Sequence, residues 1–260
     1  MAPVGVLAGS ASALFLWALE EVTRLRWENG WLVFLLPAGG VAVGAIYHWL
    51  GKPVEAGNNL LLDKIHEPGG GVPLRMAPLV LVGTLVTHLF GGSAGREGTA
   101  VQMGGSLASA YGRLIKTGAE NMRVLLLAGV AAGFGAVFGT PLTGAIFAME
   151  VLFIGRMQYD ALIPVLVASV IGDLTCSAWG IHHTVYHIGF STGETHAVID
   201  GWLMAKVVLA AVIFGVVSRF FAEADARYAE NFCPNDADAM AASGIGWRTG
   251  HWHDVGAGNA

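Results

Sequence analysis

Long apolar segments without a charged side chain constrain this chain more than any other feature of its sequence. They cover residues 1–19, 29–51, 76–95, 124–149, 161–172 and 207–218. A helix that crosses a bilayer needs about 20 mostly apolar residues. Charged residues make up only 13% of the chain, whereas they make up about 25% of a soluble domain. The sequence therefore predicts an all-α, polytopic protein that crosses the membrane several times.

The composition argues against several other classes of protein. The net charge is −5 and no block of basic residues occurs, so we expect no binding to nucleic acid. No basic region precedes the first apolar run, so we do not expect a cleaved secretory signal. The two cysteines, Cys176 and Cys233, make neither a disulfide framework nor a metal site.

Histidines are the remaining candidates for metal binding or catalysis. His182, His183 and His187 lie close together in the sequence. No acid or cysteine is spaced to complete a metal site with them, so we expect a solvated loop and no metal. An enzyme at membrane depth would need a nucleophile and a base, and His88 is the one tempting base. We expect His88 to be a hydrogen-bonded structural residue, and the protein to have no cofactor and no enzymatic activity.

One charged pair, Arg96 and Glu97, lies among the glycines of residues 91–105. A charge within apolar membrane sequence is costly unless it faces a cavity or a partner, so the pair is a functional candidate. One alternative is an ion pair that only locks a bend. Another is a phosphate loop, but no Gly-Lys-Ser/Thr follows. We expect a helix to begin over Thr99 to Leu107, and the free N–H groups at such a terminus attract anions.

Residues 92–104 resemble the glycine-arginine-glutamate-glycine signature of the CLC family of chloride channels and anion/proton antiporters. The resemblance implies the first inverted repeat of a CLC-type fold in a bacterial-type inner or plasma membrane, with broken helices. It also implies that Glu97 is the gating glutamate, whose carboxylate competes with the anion for one site. The other residues that it implies near this anion are Gly95, Arg96, Gly98 and Thr99.

Residues 55–63 correspond in order to the first selectivity loop of that family. Ordinary chloride members carry a glycine-serine-glycine-isoleucine-proline run there, whereas Asn58 or Asn59 stands near the serine position in this chain. This departure is similar to the fluoride-exporting branch, and it implies that Asn58 or Asn59 contacts the anion. An amide N–H₂ offers two donors to a small anion where a hydroxyl offers one. The alternative is that the two asparagines only cap a helix.

Residues 139–151 resemble the family's asparagine-alanine-proline-leucine-alanine-glycine segment, and Pro141 is expected to split the run into two half-helices. The resemblance implies a homodimer that forms through 124–152. In chloride/proton antiporters the tenth residue after the proline is the internal proton-transfer glutamate, but here it is Val151. Glu150 is one residue away, about 100° around a helix, so that internal proton path is expected to be absent.

The remaining helices are predicted at 3–25, 31–51, 76–90, 160–180 and 201–221. Gly5, Ala8, Gly9, Ala11 and Ser12 give the first of them a small-residue face for a neighbouring helix. An apolar pattern shared by the regions near residues 5 and 207 is similar to an inverted repeat. We therefore predict a first repeat at 1–200, the start of a second at 201–232, and a disordered, non-native tail at 233–260, as in a truncated or frame-shifted chain.

The function that the resemblance implies is transmembrane movement of a small halide, with fluoride favoured and chloride possible. The expected partners are the halide, protons, the lipid bilayer and a second copy of the chain. The alternative is a non-transporting membrane fragment that at most dimerises.

Overall fold

The structure is a computed structural model, and it describes residues 1–66, 71–150, 159–181, 183 and 201–232. Within these ranges every regular element is helical, which confirms the all-α prediction. The α-helices are α1 (Ala2–Glu28), α2 (Leu36–Ile46), α3 (Asn58–His66), α4 (Met76–Leu89), α5 (Arg96–Leu114), α6 (Ala119–Phe138), α7 (Pro141–Glu150), α8 (Tyr159–Ala178) and α9 (Gly201–Phe232). The predictions made for Val151, His182, His187, Cys233 and the tail 233–260 lie outside the described residues.

The chain forms two compact units, Met1–Tyr186 and His187–Ala260. The first unit holds α1 to α8, and in the described part of the second unit α9 is the regular element. The helix α9 is longer than the predicted 201–221. The division into 1–200, 201–232 and 233–260 remains a prediction.

Within the described ranges, five helical segments are long and apolar enough to cross a bilayer. They are Ala2–Glu28, Gly30–His66, Ala119–Phe138, Asp160–Ala178 and Gly201–Ala224. The apolar helix α4 is shorter than a full span. Short helices at membrane depth are stable where neighbouring protein surrounds them, because their free backbone groups then find partners.

The segment Gly30–His66 is helical but broken. A 3₁₀ stretch, Gly30–Leu35, precedes α2, and one turn of π-helix, Tyr47–Gly51, follows it. Pro37 lies in the first turn of α2, where its missing N–H costs nothing. The second predicted helix, 31–51, is therefore interrupted by a 3₁₀ stretch before α2 and by a π turn after it.

The helices α5 and α6 cross with their backbones in direct contact. A methyl group on Gly104 would lie 2.1 Å from the Gly129 carbonyl oxygen, and one on Gly133 would lie 2.4 Å from the Ala100 carbonyl oxygen. Gly129 and Gly133 are four residues apart, as are Ala100 and Gly104, so each helix presents one row of small residues. Such rows let membrane helices approach closely and gain van der Waals contact.

The helix α1 packs on α8 in the same way. A methyl group on Gly9 would lie 2.3 Å from the Gly172 carbonyl oxygen, and one on Gly5 would lie 2.7 Å from that of Ala168. This contact confirms the small-residue face predicted for the first helix. It also holds α1 and α8 at a short, fixed separation.

The helix α6 lies at the centre of the first unit. Residues from Leu125 to Gly133 are buried without interruption, as expected for a helix that is apolar on all sides. Two serines from neighbouring helices donate to its carbonyl oxygens: Ser12 to Gly133 at 3.4 Å, and Ser169 to Ala131 at 2.9 Å. Because α6 is enclosed in this way, the apolar surface left to the region 124–152 lies mainly on α7.

The break between α6 and α7 follows the predicted local chemistry. Gly139 ends α6 in the left-handed region, with φ of 66°. Thr140 N–H donates back to the Gly135 carbonyl oxygen at 3.1 Å, which also accepts from Gly139 N–H, and such backward bonds end a helix. Pro141 then begins α7, where its fixed φ suits the first turn. The predicted break at Pro141 is confirmed, but α6 has 20 residues and is long enough to cross a bilayer, so only α7 is a half-helix.

Candidate functional site

The loop between α4 and α5 exposes the first turn of α5. Gly91, with φ of 78°, lies two residues beyond the end of α4, and Gly95 is the extended residue that precedes α5. No side chain caps α5 at Gly95. In a helix that begins at Arg96, the backbone N–H groups of Arg96, Glu97 and Gly98 have no partner within the helix.

The helix begins three residues earlier than the predicted start at Thr99. Gly95 already adopts the extended conformation of an N-cap residue, with φ of −73° and ψ of 132°. Arg and Glu are also good helix formers, so nothing delays the first turn. As a consequence, Glu97 is the second residue of the helix rather than a loop residue. Gly98 follows it, and the Gly98 N–H still has no partner within the helix.

The carboxylate of Glu97 is exposed and lies in the first turn of α5. The positive end of the helix dipole favours a negative charge there, whether it belongs to a side chain or to an ion. Arg96 is exposed as well, and among the described residues it forms no ion pair with Glu97. This geometry does not favour the alternative of a charge pair that only locks a bend.

The side chain of Thr99 faces α4. It is 2% exposed, its hydroxyl lies 2.7 Å from the Thr84 hydroxyl, and it donates to the Gly95 carbonyl oxygen at 3.1 Å. Since the Thr99 proton is used on Gly95, the Thr84 hydroxyl donates to Thr99. Thr99 therefore holds the N-terminal turn of α5 against α4.

The helix α3 supplies the other polar wall of the site. Asn58 is its first residue, and the Asn58 carbonyl oxygen Oδ1 accepts a hydrogen bond of 3.0 Å from Nε2 of Gln102 on α5. The side chain of Asn59 is exposed. Sequence reasoning singled out the asparagines but missed Gln102, although a polar residue five positions after Glu97 in an otherwise small and apolar helix is a visible signal.

A cavity of about 130 Å³ lies where these elements meet. Its lining residues are Asn58, Leu61, Leu62, Glu97, Gly98, Val101, Val130 and Phe147. One water molecule needs about 10–15 Å³, so there is room for a small ion with several waters. Of the predicted site residues, Asn58, Glu97 and Gly98 meet at this cavity, whereas Asn59, Gly95, Arg96 and Thr99 are not among its lining residues.

Two of the histidines that the structure describes, His88 and His183, lie beside polar groups. Nδ1 of His88 lies 2.9 Å from the Thr84 carbonyl oxygen within α4. A carbonyl oxygen only accepts, so Nδ1 carries the proton. His183 lies 3.8 Å from Asp173. Across the described ranges, no three His, Cys, Asp or Glu side chains gather in a way that could hold a metal ion.

Comparison with known proteins matches the chain to one family. A family model described as "voltage gated chloride channel" matches residues 39–237. The "chloride/fluoride channel protein" of Pseudomonas syringae pv. tomato is 52% identical over 221 residues, which cover 85% of this chain and 48% of that protein.

Two solved structures have a similar fold. A crystal structure of a CLC-type fluoride/proton antiporter has a TM-score of 0.80 and 31% identity, and the match covers 94% of this chain and 61% of that one. A slow cyanobacterial Cl⁻/H⁺ antiporter has a TM-score of 0.65 and 25% identity, with coverage of 85% and 54%.

The chain spans about half the length of the curated relatives that it matches. The family match covers most of the chain, and the apolar segments are those of a protein embedded in a bilayer. The chain belongs to the voltage-gated chloride channel family, the CLC family of integral membrane proteins.

Proposed function

We propose that this chain moves a small halide across a membrane, with fluoride preferred over chloride. The observation that carries the proposal is the shared cavity: Glu97, Gly98 at the free end of α5 and Asn58 all line it. The remaining lining side chains are apolar, and a low-dielectric wall strengthens the attraction between an anion and the helix terminus. No covalent step is required, so the proposed activity is transport rather than catalysis.

In this proposal, Glu97 acts as the gate. An ionised carboxylate and a halide both seek the free N–H groups at the start of α5. Two negative charges about 4 Å apart repel by roughly 4 kcal/mol at an effective dielectric constant of 20, so they do not share the site comfortably. Protonation of Glu97 removes its charge and leaves the donors to the halide, which couples occupancy to pH.

The preference for fluoride rests on Asn58 and on the relatives. The Asn58 N–H₂ group can give two hydrogen bonds to an anion, which suits a small and strongly hydrated ion such as fluoride. One relative is named a chloride/fluoride channel, and one structural neighbour is titled a fluoride/proton antiporter. These names support the same substrate class for this chain.

The proposed partners are protons, the bilayer and a second copy of the chain. The surface that supports dimerisation is an apolar row on α7 and α8 that is exposed in the first unit. Its residues are Leu142, Ile146, Ile163, Val167, Val170 and Leu174. Only Leu142 and Ile146 lie within the predicted segment 124–152, and the other four residues lie beyond it on α8.

The test is fluoride efflux from liposomes that contain the 260-residue protein. The rate is followed with a fluoride electrode between pH 4 and pH 8. In Glu97→Gln the gate is permanently uncharged, so we expect efflux that no longer depends on pH. Glu120→Gln is the matched control, because Glu120 is also the second residue of its helix and is exposed, and it should keep the pH dependence of the unaltered protein.

Two outcomes contradict the proposal in different ways. If efflux from Glu97→Gln responds to pH as that of the unaltered protein does, Glu97 is not the gate, but the proposed transport still stands. An unaltered protein that discharges neither a fluoride nor a chloride gradient would remove transport itself. The exposed apolar row on α7 and α8 then favours the alternative, a membrane chain that dimerises without moving an ion.

A further inference from the structure

The helix α3 meets α5 along one face of α5 that is made of glycines and one glutamine. Gly98, Gln102 and Gly105 follow one another at spacings of four and three residues and so share this face. A methyl group on Gly98 would lie 3.5 Å from Nδ2 of Asn58, and one on Gly105 would lie 2.6 Å from Cδ1 of Leu61. The two glycines thus leave room for side chains of α3, and Gln102 is the polar residue between them.

The amide groups of Gln102 and Asn58 are held against each other. Nε2 of Gln102 donates to Oδ1 of Asn58 at 3.0 Å. Gly57, with φ of 54°, precedes Asn58 in a conformation that favours glycine. A methyl group on Gly57 would come to 3.4 Å from Nε2 of Gln102. Gly57 and Gly98 therefore lie beside this amide pair, and the pair joins two segments that are 44 residues apart in sequence.

An asparagine amide has two chemically opposite ends. Its N–H₂ end donates and attracts an anion, whereas its carbonyl end accepts and repels one. A half-turn about the last side-chain bond exchanges the two ends at almost no change in shape. A protein that lines an anion cavity with an asparagine therefore needs a neighbouring group that determines which end of the amide faces the ion.

We propose that Gln102 is a positioning residue that sets the orientation of the Asn58 amide for halide binding. By donating to Oδ1, Gln102 holds the carbonyl end of Asn58, and the N–H₂ end stays beside Gly98 and the free N–H groups of α5. Gln102 is not among the residues that line the cavity, so it acts through Asn58. This inference rests on the proposed halide function, in which Asn58 contacts the ion.

The test measures the rate of fluoride efflux from liposomes against the internal fluoride concentration, which separates KM from kcat. Gln102→Met keeps the length of the side chain and removes the donor. The Asn58 amide then turns freely, and we expect KM to rise about fivefold, since a net hydrogen bond and a preorganised donor are lost, while kcat stays within twofold. Elution volume and melting temperature in detergent show whether the variant is folded.

A second pair of variants separates positioning from packing. Asn58→Leu removes the amide itself and should raise KM at least as much. In the double variant, Gln102→Met should add nothing to Asn58→Leu, because nothing remains to be oriented. Gln102→Glu, which is nearly the same size but only accepts, should raise KM more than Gln102→Met, since a carboxylate holds the N–H₂ end and turns the carbonyl end toward the ion.

The inference is overturned if Gln102→Met has the KM of the unaltered protein, or if its effect multiplies with that of Asn58→Leu. In both cases the unaltered protein and Asn58→Leu still report on the halide site, so the failure concerns Gln102 alone. If the unaltered protein shows no saturable fluoride efflux, the proposed function fails first and the inference falls with it.

Discussion

Replacement of Gly104 by alanine tests the backbone contact between α5 and α6. The added methyl group would lie 2.1 Å from the Gly129 carbonyl oxygen and 2.9 Å from the carbonyl carbon. Ordinary contact begins at 3.4 Å, so the helices must separate by about 1.3 Å or deform. Both atoms belong to the backbone, so no side chain can rotate out of the way.

The expected cost follows from this overlap. Overpacking of a well-packed interior costs about 1–3 kcal/mol, and a gap of roughly 1 Å forfeits up to about half of the contact attraction across the interface. Alanine favours a helix by about 1 kcal/mol over glycine, which works in the opposite direction. We expect Gly104→Ala to lower the free energy of unfolding by about 1–3 kcal/mol, as measured by circular dichroism during titration of detergent micelles with dodecyl sulfate.

Two other glycines provide matched controls. Gly40 in α2 has no atom within 4 Å of an added methyl group, so Gly40→Ala should be neutral or stabilising by up to about 1 kcal/mol. For Gly112 in α5, the three atoms nearest to an added methyl group are at the flexible ends of Met122 and Leu125, so its replacement should change stability little. A Gly104→Ala protein as stable as Gly40→Ala would refute the direct backbone contact between α5 and α6.

Two further predictions concern polar contacts of α5. Arg113→Met removes a donor that reaches the Val72 carbonyl oxygen at 2.8 Å, and it should lower the free energy of unfolding by about 1–3 kcal/mol. The control is Arg24→Met, in an exposed ion pair, which should change the free energy of unfolding by under about 1 kcal/mol. Equal effects of the two replacements in the same dodecyl sulfate titration would contradict this prediction. Thr99→Val leaves the buried Thr84 hydroxyl without its partner and should lower the free energy of unfolding by about 1–3 kcal/mol. Adding Thr84→Val removes the unpaired hydroxyl, so the melting temperature of the double variant should recover in part. A further fall in melting temperature would show that the two threonines are not coupled.

Features that depend on neighbouring residues could be predicted from the sequence. The left-handed Gly139 and the ring of Pro141 end one helix and begin the next, because glycine and proline act on the backbone locally. The row of Gly5 and Gly9 on α1 was also predictable, since spacing of four residues places both on one helix face. The position of Glu97 at a cavity was predictable as well, because a charge within apolar sequence is costly unless it faces a cavity or a partner.

Features that depend on distant residues could not be predicted in this way. The pairing of Gln102 with Asn58 joins segments that are 44 residues apart, and no local pattern specifies it. The burial of α6 was missed for a different reason. A helix face that contacts lipid and one that contacts protein are both apolar, so sequence alone did not show that α6 is buried and that α7 and α8 carry exposed apolar residues.

Under the proposed halide function, the backbone contact between α5 and α6 has a consequence for which substitutions can change the anion preference. Because α5 packs directly on the main chain of α6, substitutions at that contact destabilise the fold before they change the anion preference. By contrast, α3 approaches α5 through the side chains of Asn58 and Leu61, which can be exchanged individually. Substitutions that adapt the site to a larger or smaller halide should therefore occur mainly on α3, because its side chains can change while the backbone contact of α5 with α6 stays the same.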